Sequence, residues 1–129
     1  MGLVNAQITL SNPIETALEP IIVSSLVDTG ANYLCIPEHI ANQLRLKTLE
    51  EREVTVADGS KKICSYVGPV KVAFANRQCF VGALVLGQSV LLGAIPMEDM
   101  DLVVHPALLK LTVNPDNPNI AGAVAMGLR

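Results

Sequence analysis

The sequence predicts an all-β fold, a single small barrel with a long hairpin and one or two short helices. Three observations predict it. Half of the 129 residues are hydrophobic, yet only 3% are aromatic and none is tryptophan. The core must therefore be built from Val, Leu, Ile and Ala, whose β-branched members favour strands. The apolar residues come in short runs, several alternating with polar ones, which is the period of a strand. Turn-forming pairs punctuate those runs, notably Asn12-Pro13 and Asp58-Gly59.

Length and charge bound what such a chain does. A chain of 129 residues makes one domain with a modest core. Residues 1–113 are assigned to it, and 114–129 to a loose C-terminal tail. A net charge of -3 with no cluster of Lys or Arg excludes nucleic acid as a partner. Cys35, Cys64 and Cys79 are odd in number, widely spaced and without a Cys-x-x-Cys pair. They fit neither a disulfide framework nor a zinc site, and read as small buried hydrophobes in a reducing compartment. Met1–Leu10 lacks the basic start and apolar core of a secretion signal, and Ala6 stands where myristoylation wants Ser or Thr. Cys79–Met97 carries no charge, but Gly87-Gln88-Ser89 and Gly93-Ala94-Ile95-Pro96 divide it into two buried strands, not a membrane span. The expectation is a soluble, cytoplasmic protein with no membrane partner.

Taken in order, Asn5–Leu10 forms a first strand with Ile8 and Leu10 on one face, and Ser11-Asn12-Pro13 a turn. Pro20–Val27 is a second strand, continuous enough in Ile21-Ile22-Val23 to be buried on both faces. After Leu34-Cys35-Ile36, Pro37 and Glu38 open a short helix to about Leu44. Its apolar face is Ile40, Ala41 and Leu44, which leaves His39 to solvent. Arg45–Arg52 reads as a charged connection. Glu53–Tyr66 is a hairpin turning at Asp58-Gly59. Val67–Ala75 and Gln78–Leu86 form another strand pair, and Val90-Leu91-Leu92 a short strand ended by Gly93. A helix over Pro96–Met100, the segment Leu102–Val104 and a last strand over Leu108–Val113 follow.

The chemistry is concentrated in Ser25-Leu26-Val27-Asp28-Thr29-Gly30-Ala31-Asn32. Two aliphatics deliver a carboxylate into otherwise apolar sequence, where an acid is rare unless it is hydrogen-bonded or held for a reaction. Taken alone, Asp-Thr-Gly is also an ordinary turn. With its flanks, and with Val90-Leu91-Leu92-Gly93 following the hairpin, the order over Ile8–Val113 resembles the retroviral-type (retropepsin-like) aspartic proteases. The length matches one protomer of that family, not a two-lobed enzyme.

That resemblance implies a single-lobe acid-protease barrel whose Asp58-Gly59 hairpin is the flap. It also implies an aspartic endopeptidase that hydrolyses peptide bonds by activated water. One chain holds one Asp-Thr-Gly, so a homodimer supplies the two carboxylates, Asp28 from each chain, and no metal or organic cofactor is called for. Thr29 then bonds across the dimer, and Gly30 presents its carbonyl to the peptide or protein substrate. Ala31 and Asn32 line the cleft, Val90 and Leu91 wall its pockets, and Gly59 marks the flap tip. Asp58 lacks the aliphatic lead-in of Asp28 and is read as a turn residue. The chain departs from the family in having Ala94-Ile95 where an Arg and a polar residue are usual, Asn32 where that Arg finds an acid, and fewer glycines in its hairpin. A retropepsin-fold dimerisation or peptide-binding module without turnover is the alternative function.

Overall fold

The computed structural model describes residues 3–126. Nine strands dominate it: β1 (Val4–Ser11), β2 (Ile21–Val27), β3 (Leu34–Ile36), β4 (Lys47–Thr55), β5 (Lys61–Phe74), β6 (Arg77–Val85), β7 (Val90–Leu92), β8 (Leu102–His105) and β9 (Lys110–Val113). Two short helices, α1 (Glu38–Gln43) and α2 (Ala94–Asp99), follow β3 and β7. The main sheet runs β1-β2-β7-β3-β6-β5-β4, and β1 also pairs with β5. That last pairing closes six strands into a barrel and leaves β4 as an outer edge. The fold is an all-β barrel.

Alternation along β1 buries Val4, Ala6, Ile8 and Leu10, and these meet Leu34, Ile36, Val70, Val72, Leu92 and Met100 in one core. Two buried polar side chains join that core because each finds backbone partners. Ser25 donates to the Ala6 carbonyl at 2.8 Å. Asn12 donates to the Leu44 carbonyl at 2.9 Å while its oxygen accepts the Ile14 and Glu15 N–H groups. That bonding fixes the turn after β1 and ties it to the end of α1.

Several elements differ from the sequence-based expectation. The Arg45–Arg52 segment is not a connection: from Lys47 it is strand β4, paired with β5 from Lys47↔Gly68 to Thr55↔Lys61. An edge strand with a solvated face accepts charges that read as loop. The two β5 stretches expected on either side of Tyr66 are one strand of 14 residues, whose register shifts between Val67 and Val70. β2 is not buried on both faces. Its side chains alternate between the core and the outer face, and the outward-facing Ile22 is 65% exposed. Pro106–Leu108 forms a 3-10 turn between β8 and β9, which shortens the last strand to Lys110–Val113.

Beyond β9 side-chain bonds tie the segment from Asn114 to Gly122 to the barrel. Asp101 accepts hydrogen bonds from the side chains of Asn114 (3.0 Å) and Asn117 (2.8 Å) and from the Gly122 N–H (2.8 Å). The Asn117 carbonyl accepts from Arg77, and the Pro118 carbonyl from Asn76 at 2.9 Å. Residues 114–122 thus lie as a strap over the β5–β6 turn, with Arg77 buried beneath it. After Gly122 the backbone is irregular and exposed through Met126; residues 127–129 of the assigned tail fall outside the described residues. Among the described residues no helix is long and apolar enough to cross a membrane.

Candidate active site

The sheet order dictates where Asp28 stands. β7 lies between β2, to which it is parallel, and β3, to which it is antiparallel. The chain 28–33 that joins β2 to β3 must therefore pass over the end of β7. Gly93, the residue that ends β7, lies so close under this loop that a Cβ there would stand 2.4 Å from the Tyr33 carbonyl oxygen and 2.8 Å from that of Ala31. Only glycine fits. The Asp28 N–H bonds the Leu92 carbonyl at 3.0 Å, and the Ala94 and Ile95 N–H groups bond the Ala31 and Asn32 carbonyls at 2.8 Å. Where an ion pair is usual in the resembled family, backbone bonds join the start of α2 to the loop.

Within the loop, Asp28 Oδ1 accepts the Gly30 N–H at 2.9 Å and the Asp28 carbonyl accepts the Ala31 N–H at 3.2 Å. The carboxylate is half-buried. No Lys, Arg or His pairs with it among the described residues, and Oδ2 has no partner there. It faces a cleft of about 620 Å³. One wall is the loop, Gly30–Tyr33, with Cys35. The hairpin arm from Arg52 to Ala57 also lines the cleft, and Leu84, Leu86 and Leu91 complete the lining.

The site residues expected from sequence divide between cleft, rim and core. Asp28, Gly30, Ala31, Asn32 and Leu91 line the cleft. Thr29 stands exposed beside it, its hydroxyl without a partner among the described residues of this chain. Val90 does not wall the cleft: it is 3% exposed and packs into the core, because neighbouring strand residues point to opposite faces. Gly59 sits at the hairpin tip with φ +87°, and nothing lies within 4 Å of where its Cβ would be. The arm Val54–Ala57, not the tip, borders the cleft of a single chain.

Arg52, Tyr33 and Tyr66 were not expected at the site. The Arg52 Nη1 donates to the Tyr33 hydroxyl at 2.8 Å, and its Nε to Glu50 at 2.7 Å. The guanidinium carbon lies 3.8 Å from the centre of the Tyr66 ring, a stacked cation–π contact, and the two tyrosines meet edge to face at 6.0 Å. Tyr66 in turn lies flat over Gly82, where a Cβ would be 2.1 Å from its ring. One guanidinium thus joins both arms of the hairpin to the Asp28 loop. A basic residue alternating with valines, Arg52-Glu53-Val54-Thr55-Val56, was the available signal, hidden by the loop reading of Arg45–Arg52.

The remaining groups narrow the chemistry. Burial pushes the Cys35 thiol up, with Cys64 and Asp28 adding to the effect, so it is held as a neutral thiol. Neither histidine lines the cleft: His39 is exposed and His105 bonds Thr112 at 2.8 Å. A Cys–His nucleophile is therefore not assembled. No group of three His, Cys, Asp or Glu side chains placed to hold a metal occurs among the described residues. Glu53, the other acid lining the cleft, is paired with Lys61 at 3.3 Å. No protein-family model matches the chain, and no curated protein matches it.

Proposed function

We propose that the chain is an aspartic endopeptidase of the retropepsin-like type, active as a homodimer. One observation carries this reading. A carboxylate with no cationic partner among the described residues stands at the end of β2, in a loop fixed by the Gly93 contact, and faces a cleft bordered by a hairpin arm and by Leu84, Leu86 and Leu91.

A single Asp28 does not suffice. Hydrolysis of an amide by water needs one carboxylate to take a proton from the water and a protonated one to donate to the carbonyl oxygen. In a two-fold dimer each chain contributes its Asp28 on the symmetry axis. Two adjacent carboxylates resist double ionisation and share one proton, so the pair itself provides both states. Water attacks the carbonyl carbon, its proton passes to the ionised carboxylate, and the protonated one gives its proton to the carbonyl oxygen. Collapse of the tetrahedral diol breaks the C–N bond, with the amine taking a proton from the pair. In such a dimer Thr29, exposed in this chain, bonds its symmetry mate. The apolar lining, Leu84, Leu86, Leu91 and Val54, suits hydrophobic substrate side chains.

The test is cleavage of a mixed peptide library between about pH 4 and 7, a range that spans the upper titration of a carboxylate pair. Wild type is compared with Asp28→Asn, and sedimentation is measured in parallel. Cleavage by a dimer, lost in the variant, is the expected result. Equal cleavage by Asp28→Asn, or a chain that stays monomeric at every concentration, would overturn the mechanism. A dimer that binds peptides without cutting them points instead to a recognition module.

A further inference from the structure

We infer that Arg52 makes the cleft selective for peptides carrying a carboxylate side chain at the position that lies over it. This deepens the peptide-cleft reading above and rests on it. Arg52 is the one cation that lines the cleft among the described residues. Its side chain is 31% exposed, so it is neither buried in a structural pair nor free in solvent. Stacking on Tyr66 and the bond to Tyr33 fix the plane of the guanidinium before any ligand arrives.

A guanidinium has five N–H donors, and Arg52 spends two of them, on Glu50 and Tyr33. The other three, both of those on Nη2 included, have no partner among the described residues. A planar fork held in place with unspent donors is the geometry that takes a carboxylate through paired hydrogen bonds. The neighbouring acids do not use it up. Glu50 is 55% exposed and engages the Nε edge alone. Glu53 is drawn to Lys61 along the hairpin, and Asp28 makes no ion pair with Arg52. Glutamate reaches further than aspartate and suits a donor set back against Tyr66.

The experiment uses peptides that differ only by Glu, Gln or Lys at one position, scanned through each position around the scissile bond, on the full-length protein. The quantity read is the Glu-to-Gln ratio of kcat/KM within each variant, so that any overall loss of activity cancels. Wild type is expected to favour Glu over Gln by about tenfold at one position, the effect of a charge-assisted pair at a half-exposed site. Arg52→Gln is expected to bring that ratio to about one, and Arg52→Glu to turn the preference to Lys. Arg52→Lys keeps charge but not the fork, and is expected to retain only part of the ratio.

A wild-type ratio near one at every position, or an unchanged ratio in Arg52→Gln, overturns the inference while leaving the endopeptidase standing. If nothing is cleaved, the same peptides carrying a fluorophore are titrated by anisotropy. Glu-selective binding abolished in Arg52→Gln then keeps the Arg52 inference and removes the protease reading, and unselective binding or none removes both.

Discussion

Two aspartates, thirty residues apart in the sequence, make the same local bond and live in different worlds. Asp28 Oδ1 accepts the N–H of Gly30 at 2.9 Å, and Asp58 Oδ1 accepts that of Ser60 at 2.8 Å. Each is a short turn closed by its own side chain. What separates them is everything beyond the turn. The Asp28 loop is packed against Gly93 and bonded by the Leu92 carbonyl and the first N–H groups of α2. The Asp58 turn stands at the end of a hairpin with open space around Gly59. Its carboxyl also accepts the Ser60 hydroxyl at 2.6 Å, and that bond, then the backbone one, holds it below the usual carboxylate range. Asp58 is therefore content as a turn anion, whereas Asp28 Oδ2 has no partner among the described residues. The lesson is that an Asx-turn identifies neither a turn residue nor an acid of catalysis. The second layer does.

The comparison is broken most forcefully by exchanging the acids for amides. Asp28→Asn is expected to lower peptide cleavage by at least about a thousandfold, the scale of a lost acid–base group, with the melting temperature unchanged. Asp58→Asn keeps the acceptor oxygen and is expected to leave cleavage within about twofold, since an exposed turn away from the reacting atoms rarely matters more. Comparable losses from both would dissolve the distinction.

Two glycines, one packed under the Asp28 loop and one beside Asp58 at the hairpin tip, sharpen it at the level of folding. Gly93→Ala places a methyl 2.4 Å from a backbone oxygen that cannot yield, and about 3 kcal/mol of stability should be lost in urea titration, the upper range of overpacking. Gly59→Ala meets no atom but keeps a φ of +87°, which costs about 1 kcal/mol for a residue with a Cβ. The reverse order would mean that the loop over β7 is looser than its contacts describe.

The smallest effect concerns a third aspartate, Asp101, which serves as an anchor. Its carboxyl is held below the usual carboxylate range by the Asn114 side chain, then the Gly122 N–H and Asn117. A depressed folded value means that its contribution is complete above the ordinary carboxylate value of about 3.9 and is lost as pH falls through the depressed one. Hydrogen exchange at the Gly122 amide should therefore stay slow throughout the cleavage assay and quicken only in stronger acid. In Asp101→Ala it should be fast at every pH. Protection that disappeared as pH rose would contradict the sign.

How much of this was legible depended on the distance over which each residue finds its partner. The barrel strands, the turn at Asp58-Gly59 and the Leu26–Gly30 and Val90–Gly93 segments were readable, because apolar alternation and turn chemistry are local. Leu91 and Val90 were not separable: both are apolar, so nothing in the sequence said which faced the cleft, and a shift of one position decides it. β4 was missed over Lys47–Arg52 because charges on a solvated edge carry no strand signal. The Arg52–Tyr33 bond joins residues 19 apart, and the Arg77–Asn117 bond residues 40 apart. Neither side chain announces such a partner in sequence, which is why a segment with the composition of a loose tail is a strap.

β5 belongs at once to the barrel wall and to the hairpin, pairing with β4 in its first half and with β6 and β1 in its second. The hairpin consequently has no hinge of the kind that a separate lid would have. It is a leaf spring clamped in the wall of the molecule, with Arg52 and Tyr66 near the clamp and Gly59 at the free end. Lifting the tip has to bend a strand whose other end holds the core together. The register shift between Val67 and Val70, one residue beyond Tyr66, sits at the clamp itself.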